Sequence, residues 1–158
     1  MLGTLSTREI DNLLCRQVIG RIGCHANGLT YVVPTSYVYE NDSIYCHSEE
    51  GLKVTLMRYN PDVCFEVDDL TNVANWKSVV CWGVFEEITE QEQRRSALQK
   101  LLKRNLPLSC SKNKELVSSW PFHTDEMETV SGVVYAIRIN KKTGRFENSL
   151  FAPGFGER

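Results

Sequence analysis

The dipeptide Asn27-Gly28 separates two runs rich in β-branched and aromatic residues, 18–25 and 30–39, and no other short feature narrows the fold as far. Both residues accept the positive φ angles of a two-residue hairpin turn, so the runs must lie side by side and antiparallel. Pro34 interrupts the second run. A proline cannot donate to a ladder, which places that strand at a sheet edge or at a bulge. A second turn at Glu40-Asn41-Asp42 leads into a third strand over 43–48, completing an antiparallel meander.

The rest of the chain continues this pattern with helices between strands. Ser6 and Glu9 have capping-box spacing ahead of Ile10, Leu13 and Leu14, which predicts an opening amphipathic helix. A helix over 51–60 ends at Asn60-Pro61, because the residue before a proline avoids helical angles. Alternation of Val63, Phe65 and Val67 with polar neighbours predicts a strand over 62–69, and 76–88 reads as a long strand with Gly83 marking a bend or bulge. Thr89 to Glu92 gives a second capping box before the stripe Ala97, Leu98, Leu101 and Leu102, and Pro107 stops that helix. The stretch 108–131 is weakly patterned, with a short helix around 115–120. A last strand over 133–140 closes at a turn near 142–144, and 149–158 reads as an irregular tail. These elements predict an α+β, mainly β class, with a six-stranded antiparallel barrel and flanking helices in a single domain, 1–158.

Composition removes several functions. With 18 basic against 20 acidic residues and a net charge of −2, nothing advertises a nucleic-acid partner. No apolar run reaches the roughly 18 residues needed to cross a bilayer, so no membrane association is expected. The six cysteines contain no C-x-x-C pair, and Cys24, Cys46, Cys64 and Cys81 sit among apolar neighbours, where thiols act as small hydrophobes. All six read as core filling in a reducing, cytoplasmic setting. His25, His47 and His123 are too scattered for a metal triad, so no metal is expected.

Three places could hold chemistry. At His47-Ser48-Glu49-Glu50-Gly51-Leu52-Lys53 a strand hands over to a helix start, where free N–H groups, a glycine and a lysine together describe a phosphate pocket. The structural alternative is a capping Ser48 with a solvated Lys53. Val33-Pro34-Thr35-Ser36 loosens strand pairing and brings two hydroxyls, which suits a planar heterocycle; the alternative is a proline-guarded edge strand. Trp76 and Ser78 bring an aromatic ring and a hydroxyl where a loop enters a strand, and an ordinary buried tryptophan is the alternative. No nucleophile elbow, G-x-G-x-x-G or P-loop occurs, and the successive acids Glu49-Glu50 and Glu86-Glu87 point in different directions and read as solvated faces.

Taken in order, "VIGRIGC", "YVVPTSYVYENDSIYCHSEEGLK", "RYNPDVCFEVD" and "WKSVVCWGVFEEI" resemble the pyridoxamine 5′-phosphate oxidase-related flavoproteins, in the branch of nitroimidazole-resistance proteins, over roughly 5–144. That resemblance implies a split β-barrel homodimer with FMN in clefts between subunits. By position, Val33, Pro34, Thr35 and Ser36 would line the isoalloxazine, and His47 and Ser48 would sit by the ribityl and phosphate. Leu52 and Lys53 would hold the phosphate, while Trp76 and Ser78 would reach the flavin of the opposite subunit. The implied activity is an FMN-dependent oxidoreductase passing electrons from a nicotinamide or other reductant to small acceptors such as 5-nitroimidazoles, with His47 as candidate proton donor. The alternative is a storage or sensor module for a flavin, haem or deazaflavin. The arginine-rich phosphate cluster and basic C-terminal substrate residues of true pyridoxamine phosphate oxidases are missing, which argues against vitamin B6 oxidation.

Overall fold

A computed structural model describes residues 1–104 and 129–149. In chain order the elements are β1 (Leu2–Thr4), α1 (Thr7–Arg16), β2 (Ile19–Ala26), β3 (Leu29–Ser36), β4 (Val38–Glu40), β5 (Ser43–Ser48), α2 (Leu52–Tyr59), β6 (Asp62–Asn72), β7 (Asn75–Glu87), α3 (Gln91–Lys103) and β8 (Val133–Asn148). Among the described residues eight strands therefore replace the expected six. They form one antiparallel sheet in the order β3-β2-β6-β7-β8-β5-β4, with β1 added to β8. The sheet curls into a split barrel without closing.

The β2–β3 hairpin turns at Asn27 and Gly28, with φ angles of 52° and 77°, and Ala26 faces Leu29 across it. Pro34 stands opposite Arg21 on β3, which is an edge strand as its proline demands. The predicted strand 30–39 does not continue as a meander. It breaks at Tyr37, and its two halves lie at opposite edges of the sheet order, β3 at one and β4 at the other. Tyr37 pins this seam: its N–H donates to the Val18 carbonyl at 3.1 Å and its hydroxyl to the Leu14 carbonyl at 2.8 Å. The buried ring packs edge-on to Phe65.

β8 runs to Asn148, so the turn expected at 142–144 is absent and those residues pair with β7 instead. A bulge lies in this ladder, since Trp82 faces Lys141 while Gly83 faces Ile139. Gly83 supplies the close approach: a Cβ there would collide with the Arg138 carbonyl.

The main core fills the barrel with the inward rows of β2, β5, β6, β7 and β8, including Ile22, Ile44, Phe65, Val67, Val79 and Ile137. The capping box of α1 forms as expected, with Ser6 and Glu9 exchanging bonds, and Ile10, Leu13 and Leu14 are buried. The cap of α3 is Glu90 rather than Thr89; its carboxylate accepts from the N–H groups of Glu92 and Gln93. α3 packs Ala97, Leu98 and Leu101 against Ile88, Val134 and Ala136 as a second cluster outside the barrel. Among the described cysteines, Cys24, Cys46 and Cys81 are buried and Cys64 is half-buried, whereas Cys15 is exposed and fills no core. The helix expected at 115–120, Cys110, His123 and residues 150–158 of the tail lie outside the described residues. No helix among those described is long and apolar enough to cross a membrane.

Candidate functional site

Strand alternation assembles the corner between β5 and α2. Ile44 and Cys46 point into the barrel and are fully buried, and Ser48, next in the same row, brings a buried Oγ that has no hydrogen-bond partner. Opposite Cys46 on β8 stands Tyr135, fully buried, whose hydroxyl is likewise unpartnered. Burial pushes its phenol well above the ordinary range, and the nearby polar groups are Thr35, Cys46 and Ser48. Two buried hydroxyls without partners are costly, roughly 1–3 kcal/mol each when no ligand or water meets them.

The corner then turns into α2 at Gly51, an extended residue that offers no side-chain cap. The alternative of a capping Ser48 is thereby excluded. The first-turn N–H groups of α2 stand at the positive end of the helix dipole, and the space where a Gly51 Cβ would sit is open. Lys53, in this first turn, is half-buried and makes no hydrogen bond or ion pair among the described residues. Burial lowers its pKa, opposed in part by the Cys46 and Cys24 thiols. A cation withdrawn from water without a carboxylate is a group waiting for an anion.

The two acids of the corner do not compete for Lys53. Glu50 is taken by Arg58, which also holds Glu87, and Glu49 is exposed. Glu86 is likewise ion-paired, with Arg138, so Glu50, Glu86 and Glu87 are partners in ion pairs rather than merely solvated.

β3 forms the other wall. Thr35 is buried and joins the Cys46–Tyr135 group, Val33 and Ser36 are half-buried, and Pro34 is exposed. Thus Thr35 of β3, Ser48 of β5, Tyr135 of β8 and the first turn of α2 converge on one seam. Two members were missed from sequence. Tyr135 is one aromatic residue within an apolar run, and Arg104, which donates to Ser36 Oγ at 3.3 Å and to the Tyr37 carbonyl at 3.2 Å, follows the last turn of α3 like any helix-ending cation. Nothing local marks either.

Of the remaining candidates, His47 and Leu52 flank the corner, and Trp76 and Ser78 lie on β7 away from it. His47 alternates to the outside of β5, opposite Val134 of the second cluster, and its Nε2 donates to the Ser131 carbonyl at 2.7 Å. Leu52 is half exposed at 48%. Ser78 donates to Glu66 at 2.8 Å and Trp76 Nε1 to Glu147 at 3.1 Å. Trp76 lines a pocket of about 280 Å³ with Glu9, Asp69, Lys77 and Glu147, none of them from the β5–α2 corner. Among the described residues no group of three or more His, Cys, Asp or Glu is placed to hold a metal ion.

Comparison with known proteins places this arrangement. Residues 6–146 match the family model described as pyridoxamine 5′-phosphate oxidase. The crystal structure of an FAD-binding protein from Mesorhizobium loti is 31% identical, with a TM-score of 0.70 over 94% of this chain and 99% of that one. A Bacteroides thetaiotaomicron protein described as a candidate 5-nitroimidazole antibiotic resistance protein is 23% identical, with a TM-score of 0.68 over 92% of this chain and 89% of that one. The FAD-binding protein of Mycobacterium smegmatis is 22% identical, with a TM-score of 0.63 over 91% and 97% of the two chains. At these lower identities the last two share the fold. A curated relative, an uncharacterized protein of Rhizobium meliloti, is 30% identical over 84 residues, which span 53% of this chain and 56% of that protein. With the family model covering nearly all the described fold, the chain belongs to the pyridoxamine 5′-phosphate oxidase family.

Proposed function

We propose that the protein is an FMN-dependent oxidoreductase that works as a homodimer and reduces small electron acceptors, nitroaromatic compounds such as 5-nitroimidazoles among them, at the expense of a nicotinamide or comparable reductant. The observation that carries the reading is the half-buried Lys53, without a carboxylate, beside an uncapped helix start and the unpartnered hydroxyls of Ser48 and Tyr135. This donor set fits a phosphate dianion, which accepts from backbone N–H groups, hydroxyls and an ammonium together. The 31% identity to an FAD-binding protein over 94% of the chain supports a flavin as its bearer.

When bound, a flavin would supply the electron transfer itself. The chain's residues bind and orient it: Lys53, Ser48 and the Leu52 and Lys53 N–H groups hold the phosphate, and Val33, Pro34, Thr35 and Ser36 offer the loosened edge of β3 to the ring. His47 braces the corner from outside the barrel, its Nε2 bonded to the Ser131 carbonyl. Dimerisation is supported by the outer sheet face, where Ile19, Val32 and Trp82 are exposed by 58%, 61% and 42%. A groove of about 440 Å³ runs between Val32, Cys64 and Trp82 on this face. A second copy seated there would bring its own Trp76 and Ser78 toward the cleft. The free thiols suit a cytoplasmic setting.

The test is purification without added cofactor, followed by titration with FMN and with FAD. A flavin spectrum with FMN bound more tightly, and oxidation of a nicotinamide donor only when a nitroaromatic or quinone is supplied, is the expected result. Protein that stays colourless and takes up neither flavin overturns the reading. Flavin uptake without turnover of any acceptor assigns a storage or sensing role instead.

A further inference from the structure

Among the described lysines, Lys100 and Lys142 are held in ion pairs, with Glu40 and with Asp11 and Asp42, and Lys77, Lys103 and Lys141 are exposed. Lys53 differs from all of these, being half-buried and without an ion pair among the described residues. An ammonium in a salt bridge or in open water stays protonated and is a poor nucleophile. Burial favours the neutral amine, whose lone pair can attack. The lowered pKa of Lys53 has that cause.

What this amine can react with is set by its neighbours. Lys53 is the second residue of α2, and the N-cap, Gly51, brings no side-chain bond to the first-turn N–H groups. The hydroxyls of Ser48 and Tyr135 are buried without partners. They share one face of the β5–β8 ladder, since Ser48 follows Cys46 in its row and Cys46 stands opposite Tyr135, which is fully buried. An uncapped helix start with two unmet hydroxyls is a seat for a phosphoryl group, and it lies beside an amine rather than a guanidinium.

We propose that Lys53 of the flavin-free chain is a modification site for acyl phosphates, whose phosphoryl group the corner seats and whose acyl group passes to Nζ. The proposal rests on the phosphate reading of the corner given above. The Nζ lone pair attacks the acyl carbonyl carbon, and the bond from that carbon to the bridging oxygen breaks. Inorganic phosphate leaves with the electron pair and takes up the proton that the nitrogen releases. Nothing is oxidised or reduced. The product is a neutral amide, which a half-buried position tolerates better than an unpaired ammonium. It offers no charge to a flavin phosphate, so the modification holds the chain in its flavin-free state, and a bound flavin shields the amine by filling the same seat.

The test treats the full chain, freed of flavin, with acetyl phosphate and follows acetylation at each lysine by peptide mass spectrometry. Lys53 is expected to react several-fold faster than Lys77, and inorganic phosphate or FMN should slow Lys53 alone. N-acetoxysuccinimide, an acetyl donor with no phosphoryl group, should show a smaller preference. Acetylated wild type should bind FMN at least about tenfold more weakly, the factor for losing one charge-assisted contact. Lys53→Arg keeps a cation that acetyl phosphate does not modify, and the treatment should leave its own FMN affinity unchanged. Equal rates at Lys53 and Lys77, or a Lys53 rate that inorganic phosphate does not slow, overturns the proposal and leaves the flavin reading intact. Phosphate-sensitive acetylation of Lys53 in a chain that takes up no flavin supports the modification site and overturns the flavin reading.

Discussion

Arg58 holds Glu50 in a two-bonded fork, its Nη1 and Nη2 lying 2.8 and 2.9 Å from the two carboxylate oxygens. This contact reaches from the last turn of α2 back to the residue before its cap. It gives the Glu50 carboxylate a cationic partner other than Lys53, which stands two residues past the cap. Replacing Arg58 with Met frees Glu50 to repel an anion at the corner. FMN affinity, followed by fluorescence quenching, should fall several-fold, and adding Glu50→Gln should restore most of it. If the double variant stays as weak as the single one, Glu50 is not the cause.

Lys53 and Lys77 should behave differently when removed. Lys77 is exposed, whereas Lys53 is half-buried beside an uncapped helix start. Lys53→Ala should cost about 1.5–3 kcal/mol of FMN binding, the range for a hydrogen bond to a charged group. Lys77→Ala should cost little, as solvated charges do. Isothermal titration of both variants decides it, and equal losses would place the phosphate elsewhere.

Tyr135 should show opposing effects on stability and binding. Its buried hydroxyl has no partner in the ligand-free chain, so Tyr135→Phe removes an unmet polar group and should stabilise ligand-free protein by about 1 kcal/mol. That corresponds to a rise of roughly 2–4 °C in Tm for a domain of this size. The same change should weaken FMN binding. A melting curve without cofactor that shows a drop would mean the hydroxyl has an internal partner.

The ligand-free protein should become more stable as alkali is added, because of Lys53. Burial lowers its folded pKa beneath the unfolded value of about 10.4, so over that window the unfolded chain binds more protons than the native one. Stability then rises with pH through the window, and Lys53→Met flattens the rise. Urea unfolding of both proteins between neutral pH and pH about 10 measures the difference. Identical slopes would show that Lys53 is not held out of water.

Gly83→Ala tests the bulge. A Cβ there meets the Arg138 carbonyl and stands 2.9 Å from Ile137 Cγ2, contacts that neither a central ladder nor a packed core can yield. A loss of about 2–3 kcal/mol is expected in chemical denaturation.

Much of this fold was legible because its signals are local. Asn27-Gly28 set the first hairpin, Ser6 and Glu9 set the first helix, and the alternation through Val63, Phe65 and Val67 set β6. Gly83 correctly marked an irregularity. What escaped depends on distant partners. β1 has three residues and forms only because β8 is there to pair with them. The break at Tyr37 follows from bonds to Val18 and Leu14, which no pattern near Tyr37 foretells. Thr89 lost its capping role because the Glu90 carboxylate reaches two N–H groups at once. For the site, Lys53 and Ser48 were readable from the strand-to-helix corner, but Tyr135 reaches it across the β5–β8 ladder and Arg104 from the far side of α3.

β8 pairs with both β7 and β5, and with β1 besides, yet it is the last described strand in chain order. During synthesis the growing chain must therefore wait with two open edges until that strand leaves the ribosome, and β1 must hold on for a partner more than a hundred residues downstream. Assembly of the barrel is thus completed only when that strand arrives, and until then the edges of β5 and β7 stand bare.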